Sequence, residues 1–180
     1  GTVALVHGSG VLVHEGTTRA DGAAGQQAGS VSLEAAQSLV VGPQSTISAS
    51  GQGANSDGGS VVLNSGRFTA TTAGSQLVAT PGESGLGGFI ETSSKGAAWL
   101  QGSVNVGRGG TWLIDPRFIN IINGSGGTAD GTILPTGGTV TGGTGTQTVS
   151  EAALQSVAAG SNIILQADDT ITVNDIADNL

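Results

Sequence analysis

The chain has 180 residues, of which 33 are glycine, 10% are charged and 3% are aromatic, and its formal net charge is −8. A core built on large rings is excluded, and so is disorder, which needs more charge and less apolar content than the 37% present. Five basic residues against 13 acidic ones give no patch to neutralise phosphates, which speaks against nucleic acid and against an anionic membrane surface.

Cysteine is absent, so no disulfide or thiolate site exists. No apolar run approaches the roughly 20 residues of a membrane-spanning helix, so membrane insertion is not expected. What remains is a narrow interior of alanine, valine, leucine and isoleucine enclosed by short strands and tight glycine turns.

Taken in order, the first 122 residues read as successive coils. The first offers strands at Thr2–Val6, Val11–Val13 and Thr17–Ala20, with turns at Gly8-Ser9-Gly10, Gly16 and Asp21-Gly22. The second gives Val31–Leu33, Leu39–Val41 and Thr46–Ala49, and the third Val61–Leu63, Phe68–Ala70 and Leu77–Ala79. The fourth begins at Phe89–Thr92 after Gly87-Gly88 and continues through Trp99-Leu100, Val104 and Val106.

A fixed internal period decides the fold before any local preference does. Val31, Val61 and Ile90 follow the same glycine lead at spacings of 30 and 29, and a weaker copy at Val3 precedes Val31 by 28. Sixteen residues after each comes another apolar position, at Ile47, Leu77 and Val106. These counts predict an all-β protein, a right-handed parallel β-helix with three sides and coils of 28 to 30 residues. The period is already running at Gly1, so the chain reads as a length of something larger.

Trp112-Leu113-Ile114-Asp115-Pro116 breaks this rhythm. Trp112 is large enough to plug the column, and Pro116 lacks a backbone donor, so the chain is expected to leave the ladder there. Phe118 to Ile122 make one more apolar strand. Residues 123–149 are rich in glycine and threonine without a defensible period and read as an extended loop, with short strands at Thr132–Leu134 and Thr139–Thr141.

Residues 150–180 open on a short helix, Ser150 to Gly160, with a capping serine, an acid in its first turn, Leu154 and Val157 one turn apart and a terminal glycine. Strands resume at Asn162–Ala167 and Thr170–Val173.

Together, Gly87 to Ser93 (GGFIETS), Thr111 to Ile121 (TWLIDP and Ile119-Asn120-Ile121) and Thr148 to Asp175 resemble the filamentous-haemagglutinin type of bacterial surface protein. The resemblance implies a large exoprotein of a Gram-negative cell, exported by two-partner secretion through an outer-membrane transporter and forming an extracellular β-helical stalk. It further implies roles in adhesion, aggregation or biofilm matrix, with glycans, proteins or further copies of the fibre as partners. The secretion-domain motif of such proteins is not visible here, which places this length in the shaft.

Few residues suggest other chemistry. His7 and His14 are seven apart without a third ligand nearby. Asp168, Asp169, Asn174, Asp175 and Asp178 offer hard oxygens to Ca²⁺ but lack the spacing of calcium-bound β-rolls. Asp115 has no second carboxylate near it in sequence to complete a glycosidase pair. A lyase on this fold needs acids and bases on adjacent coils, and only Arg67, Lys95 and Arg108 could align. Thr69, Thr71 and Thr72, read as exposed, together with Thr139 and Thr141, invite an ice-binding reading, although the rows do not repeat at coil spacing. The expected function is therefore a non-catalytic structural segment without a cofactor. The alternatives are a self-assembling filament subunit and a carbohydrate-active β-helix enzyme.

Overall fold

A computed structural model describes residues 1–115, 117–122, 125, 127, 140–141, 143–152, 164–167 and 169–174. The expected architecture is present: an all-β parallel solenoid of about four turns, its strands stacked in three sheets. The first sheet stacks β1 (Thr2–His7), β4 (Ser30–Ala35), β7 (Ser60–Ser65), β10 (Phe89–Ser94) and β13 (Thr111–Asp115) in that order. The second stacks β2 (Val11–His14), β5 (Ser38–Val41), β8 (Phe68–Thr71) and β11 (Ala97–Leu100). The third stacks β3 (Thr17–Arg19), β6 (Thr46–Ser48), β9 (Gln76–Val78) and β12 (Ser103–Asn105).

Strand alternation sends every second side chain inward. Like then stacks on like: Val3, Val31, Val61, Ile90 and Trp112 form one inner row, and Leu5, Leu33, Leu63, Thr92 and Ile114 the next. Leu33, Leu39, Ile47, Leu63, Leu77 and Ile90 are at most 1% exposed. Burial of each is worth roughly 2 kcal/mol, and since each turn touches only its neighbours, the column is stable as a sum of such contacts.

The coil lengths correct one expectation. Thr2 pairs with Ser30, Ser30 with Ser60 and Ser60 with Phe89, steps of 28, 30 and 29, but Phe89 pairs with Thr111, a step of only 22. Most of the shortening lies in the third corner, which runs from Ala79 to Gly88 in one turn and only from Val106 to Gly110 in the next. Val106 is displaced for a related reason. The second corner also loses residues, leaving only Gln101 and Gly102 between β11 and β12, so Val104 takes the place above Leu77. Val106 instead continues the row of Ala49 and Ala79, and is 3% exposed.

The glycine lead has a steric cause. At Gly29, Gly59 and Gly88 a Cβ would stand 1.8, 2.0 and 2.2 Å from the carbonyl oxygen of the equivalent residue one turn below. That same oxygen accepts the ladder hydrogen bond from the following residue, as in Ser60 N–H to Gly29 O at 3.1 Å and Phe89 N–H to Gly59 O at 2.9 Å. Only glycine lets consecutive turns approach this closely at the entrance to the first sheet.

Trp112 tops its row as expected, 6% exposed, its Nε1–H donating to Thr92 Oγ1 at 3.1 Å. It does not close the column. β15 (Val140–Thr141) and β17 (Leu165–Gln166) pair with each other and lie against β13, and Val149, Leu165 and Ala167 join the apolar interior. β14 (Arg117–Ile122) leaves the first sheet and pairs in parallel with β16 (Gly143–Ser150) and β18 (Thr170–Val173). The change of sheet falls across Pro116, itself outside the described residues. Thr132–Leu134 and all but Glu151 and Ala152 of the expected helical body also fall outside them; those two residues are helical.

Candidate binding faces

The outward half of each strand builds three faces of different chemistry. On the second sheet the outward rows are Val11, Ser38, Phe68 and Val13, Val40, Ala70, Trp99. No charged residue stands on this face, and Val11, Val13 and Trp99 are 53, 55 and 61% exposed. On the third sheet the rows are Thr17, Thr46, Gln76, Ser103 and Arg19, Ser48, Val78, Asn105, a surface almost entirely of uncharged hydrogen-bonding groups.

The first sheet carries the outward acids Glu34 and Glu91. Each accepts a hydrogen bond from a serine of its own strand, Ser32 to Glu34 at 3.2 Å and Ser93 to Glu91 at 2.6 Å. Glu34 and Glu91 belong to β4 and β10, two strands apart, which is about 10 Å along the column. A shallow groove of about 290 Å³ runs beside Glu34, between His7, Asn64 and Lys95. A second groove, of about 460 Å³, follows the glycine entrance to the first sheet between Asp57, Leu86, Phe89 and Thr111.

The third corner is tied together by two aspartates. Asp21 accepts from Ser48 Oγ–H at 2.5 Å and from the Ser50 amide at 2.8 Å in the turn above, and pairs with Arg19 at 3.2 Å. Burial is the largest single influence on this carboxyl and pushes it up. The Ser48 and Ser50 hydrogen bonds and the Arg19 charge together outweigh burial and hold it below the ordinary carboxylate range. Asp57 spans three turns, accepting from Gln27 Nε2 at 3.4 Å below and from the Leu86 amide at 2.8 Å above.

The sequence-predicted residues are dispersed rather than gathered. His7 is exposed at the end of β1, whereas His14 is inside the column at 6% exposure, so the two do not form a pair. Asp169 is exposed and pairs with Arg117 at 3.5 Å; Asp168, Asp175 and Asp178 lie outside the described residues. Asn174 donates to Asn120 Oδ1 at 2.6 Å. Asp115 closes β13 on its outward side, opposite Ser93. Arg67 and Lys95 share the first corner on neighbouring turns, but Arg108 is on the third corner, so those cations do not align. Among the described residues no group of three or more His, Asp or Glu side chains could hold a metal ion.

The threonine row at Thr69–Thr72 is overturned, and Thr139 lies outside the described residues. Thr69 and Thr71 are 0 and 1% exposed and face inward, and of these three only Thr72 reaches the surface in part. Their hydroxyls are satisfied within the interior: Thr69 Oγ1–H donates to Ser93 O at 2.7 Å and is within 2.8 Å of Ser65 Oγ, which donates to Ser94 Oγ at 3.2 Å. Thr71 Oγ1 accepts from the Gly102 amide at 3.2 Å. A buried hydroxyl costs little when its hydrogen bonds are made, so the alternation rule holds while the polarity rule does not.

Sequence reasoning missed the apolar outer face of the second sheet. The available signal was that Trp99 precedes the inward Leu100, so it must point outward. No protein family matches the chain, and neither a characterised protein nor a solved structure matches it.

Proposed function

We propose that this chain is a non-catalytic shaft length of a secreted bacterial surface adhesin of the filamentous-haemagglutinin type, exported through an outer-membrane transporter and exposed at the cell surface. The observation that carries the reading is the continuous column itself. The first sheet runs unbroken across five strands, with ladder hydrogen bonds directed along the axis and an interior of stacked equivalent side chains. Load applied along that axis is shared by the backbone ladders of all three sheets. The polar outer face of the third sheet, with Thr46, Gln76, Ser103 and Asn105, offers repeated donors and acceptors to a glycan or to a neighbouring fibre.

The test is binding of the purified chain to a glycan array and to itself, with and without Ca²⁺, alongside the double variant Thr46→Lys/Gln76→Lys. Selective glycan binding or self-association, lost in the variant at unchanged thermal stability, is the expected result. Binding that survives the double variant, or no binding at all, overturns the adhesive role of this face and leaves a passive spacer.

A further inference from the structure

The glycine entrance to the first sheet is bordered by two rows of side chains. Along the third corner the amides of Ala28, Gly58 and Gly87 donate to the carbonyls of Asp57, Leu86 and Arg108 in the turn above, so Gln27, Asp57, Leu86 and Arg108 follow one another up the column. Across the glycines, the outward row of the first sheet runs Thr2, Ser30, Ser60, Phe89 and Thr111. Between the two rows lies the groove of about 460 Å³, a volume in the range of small-molecule sites.

Both rows break their pattern in the same turn. Phe89 is the one residue of its row without a hydroxyl, and Leu86, 60% exposed, is the one apolar residue of a corner row that is otherwise Gln, Asp and Arg. Neither belongs to the apolar interior. Leu86 Cδ2 leans over Gly109, 3.4 Å from where a Cβ would stand there. One turn lower the lining is polar. Asp57 Oδ1 accepts from the Leu86 amide at 2.8 Å, and Oδ2 accepts only from Gln27 Nε2 at 3.4 Å, which leaves that oxygen room for a further donor. Asp57 is the one charged residue lining the groove; Arg108, next above Leu86, is exposed and does not line it.

From this geometry we propose that the groove binds a short neutral oligosaccharide, at a site separate from the polar face of the third sheet and independent of the shaft role. A pyranose ring has an apolar C–H face and a rim of hydroxyls. Its face covers Phe89 and Leu86, while its hydroxyls donate to Asp57 Oδ2 and exchange hydrogen bonds with Gln27 and Thr111. The groove passes four turns from Gln27 to Gly109, about 14 Å at the ordinary strand spacing, which is room for more than one ring. Acidic sugars are disfavoured, because their charge would meet Asp57 with no lining cation to offset it. A shallow site with one apolar clamp and few hydrogen bonds holds its ligand at about 1 mM, so binding is read in solution rather than on a washed surface.

The test is an NMR titration of the isotope-labelled chain with maltotriose, cellotriose, triacetylchitotriose and trigalacturonic acid, each to about 20 mM. At least one neutral trisaccharide is expected to move the amides of Gly58, Gly87 and Gly88 saturably, and trigalacturonic acid is expected to leave them in place. Phe89→Ser/Leu86→Gln gives each position a residue already present in its row, and is expected to weaken binding about tenfold at unchanged melting temperature. Asp57→Asn keeps an acceptor for the Leu86 amide, and is expected to weaken binding about fivefold. Groove amides unmoved by every neutral trisaccharide, equal binding of the acid, or full binding in both variants overturns the proposal. Shifts confined to β6 and β9 put the saccharide on the third-sheet face and contradict it equally.

Discussion

Replacing Leu63 by alanine is expected to destabilise the column by about 3 kcal/mol, within the range for truncating a fully buried leucine. Leu63 is 0% exposed and stands between Leu33 in the turn below and Thr92 in the turn above. Removing its branched end leaves a cavity that the neighbouring turns cannot close, because ladder hydrogen bonds on both sides fix their spacing. A solenoid transmits stability only between adjacent turns, so the loss also weakens the coupling between the first two turns and the rest. Urea unfolding followed through the buried Trp112 measures this, with a lower midpoint and a smaller slope expected. Leu5→Ala is the matched control. The same side chain at 38% exposure, with a strand on one side only among the described residues, is expected to cost less than half as much.

Gly59→Ala is expected to cost about as much, near 3 kcal/mol, for the opposite reason, since it adds one carbon where no space exists. The new Cβ would stand 2.0 Å from Gly29 O, with the Ala28 and Ala49 methyls at 3.0 and 3.1 Å. The obstruction is backbone on one side and packed alanine on the other, so relief requires β7 to move off β4, which breaks the Ser60 N–H to Gly29 O bond. Thermal unfolding of Gly59→Ala beside Gly8→Ala separates this from a general effect of losing a glycine. Gly8 has nothing within 4 Å of an added Cβ, so its substitution is expected to be neutral or slightly stabilising. A Gly59→Ala protein as stable as the parent would remove the steric explanation of the glycine lead.

The solenoid was legible because its period is written in residues that obey simple rules. Val31, Val61 and Ile90 stack in register at the counted spacings, and the glycine before each strand marks where turns touch most closely. The fourth step was not legible from counting. Corners tolerate deletion without disturbing the sheets, and the loss of residues near Gln101 and after Val106 shifted the register of Val104 and shortened the turn together. Thr69 and Thr71 were misplaced because threonine was read as a surface residue, whereas inside the column Ser65 Oγ and the Ser93 carbonyl meet the Thr69 hydroxyl and the Gly102 amide donates to that of Thr71. β16 offered little signal, since Val149 is the one apolar residue of Gly143–Ser150 and a single one sets no period.

The candidate faces were less legible than the fold. Inward positions are constrained by packing and therefore repeat, while outward ones are free and do not. Trp99 stands in a row with Val13, Val40 and Ala70, a resemblance too loose to be found by spacing alone. His14 occupies a position filled by valine and threonine in the next two turns, and only the stacking shows that a titratable ring has been enclosed there.

The register of the column is tested most directly by engineered disulfides, which this cysteine-free chain allows without background. Ser30→Cys/Ser60→Cys and Phe89→Cys/Thr111→Cys place thiols on facing positions of adjacent strands, about 4.8 Å apart and within the reach of a disulfide. Ser30→Cys/Val62→Cys is offset by two residues, roughly 8 Å, and beyond that reach. Under mild oxidation both facing pairs are expected to close within one chain and the offset pair to stay reduced. Closure of the offset pair in place of Ser30→Cys/Ser60→Cys, or failure of both facing pairs, would contradict the stacked solenoid on which the proposed shaft rests.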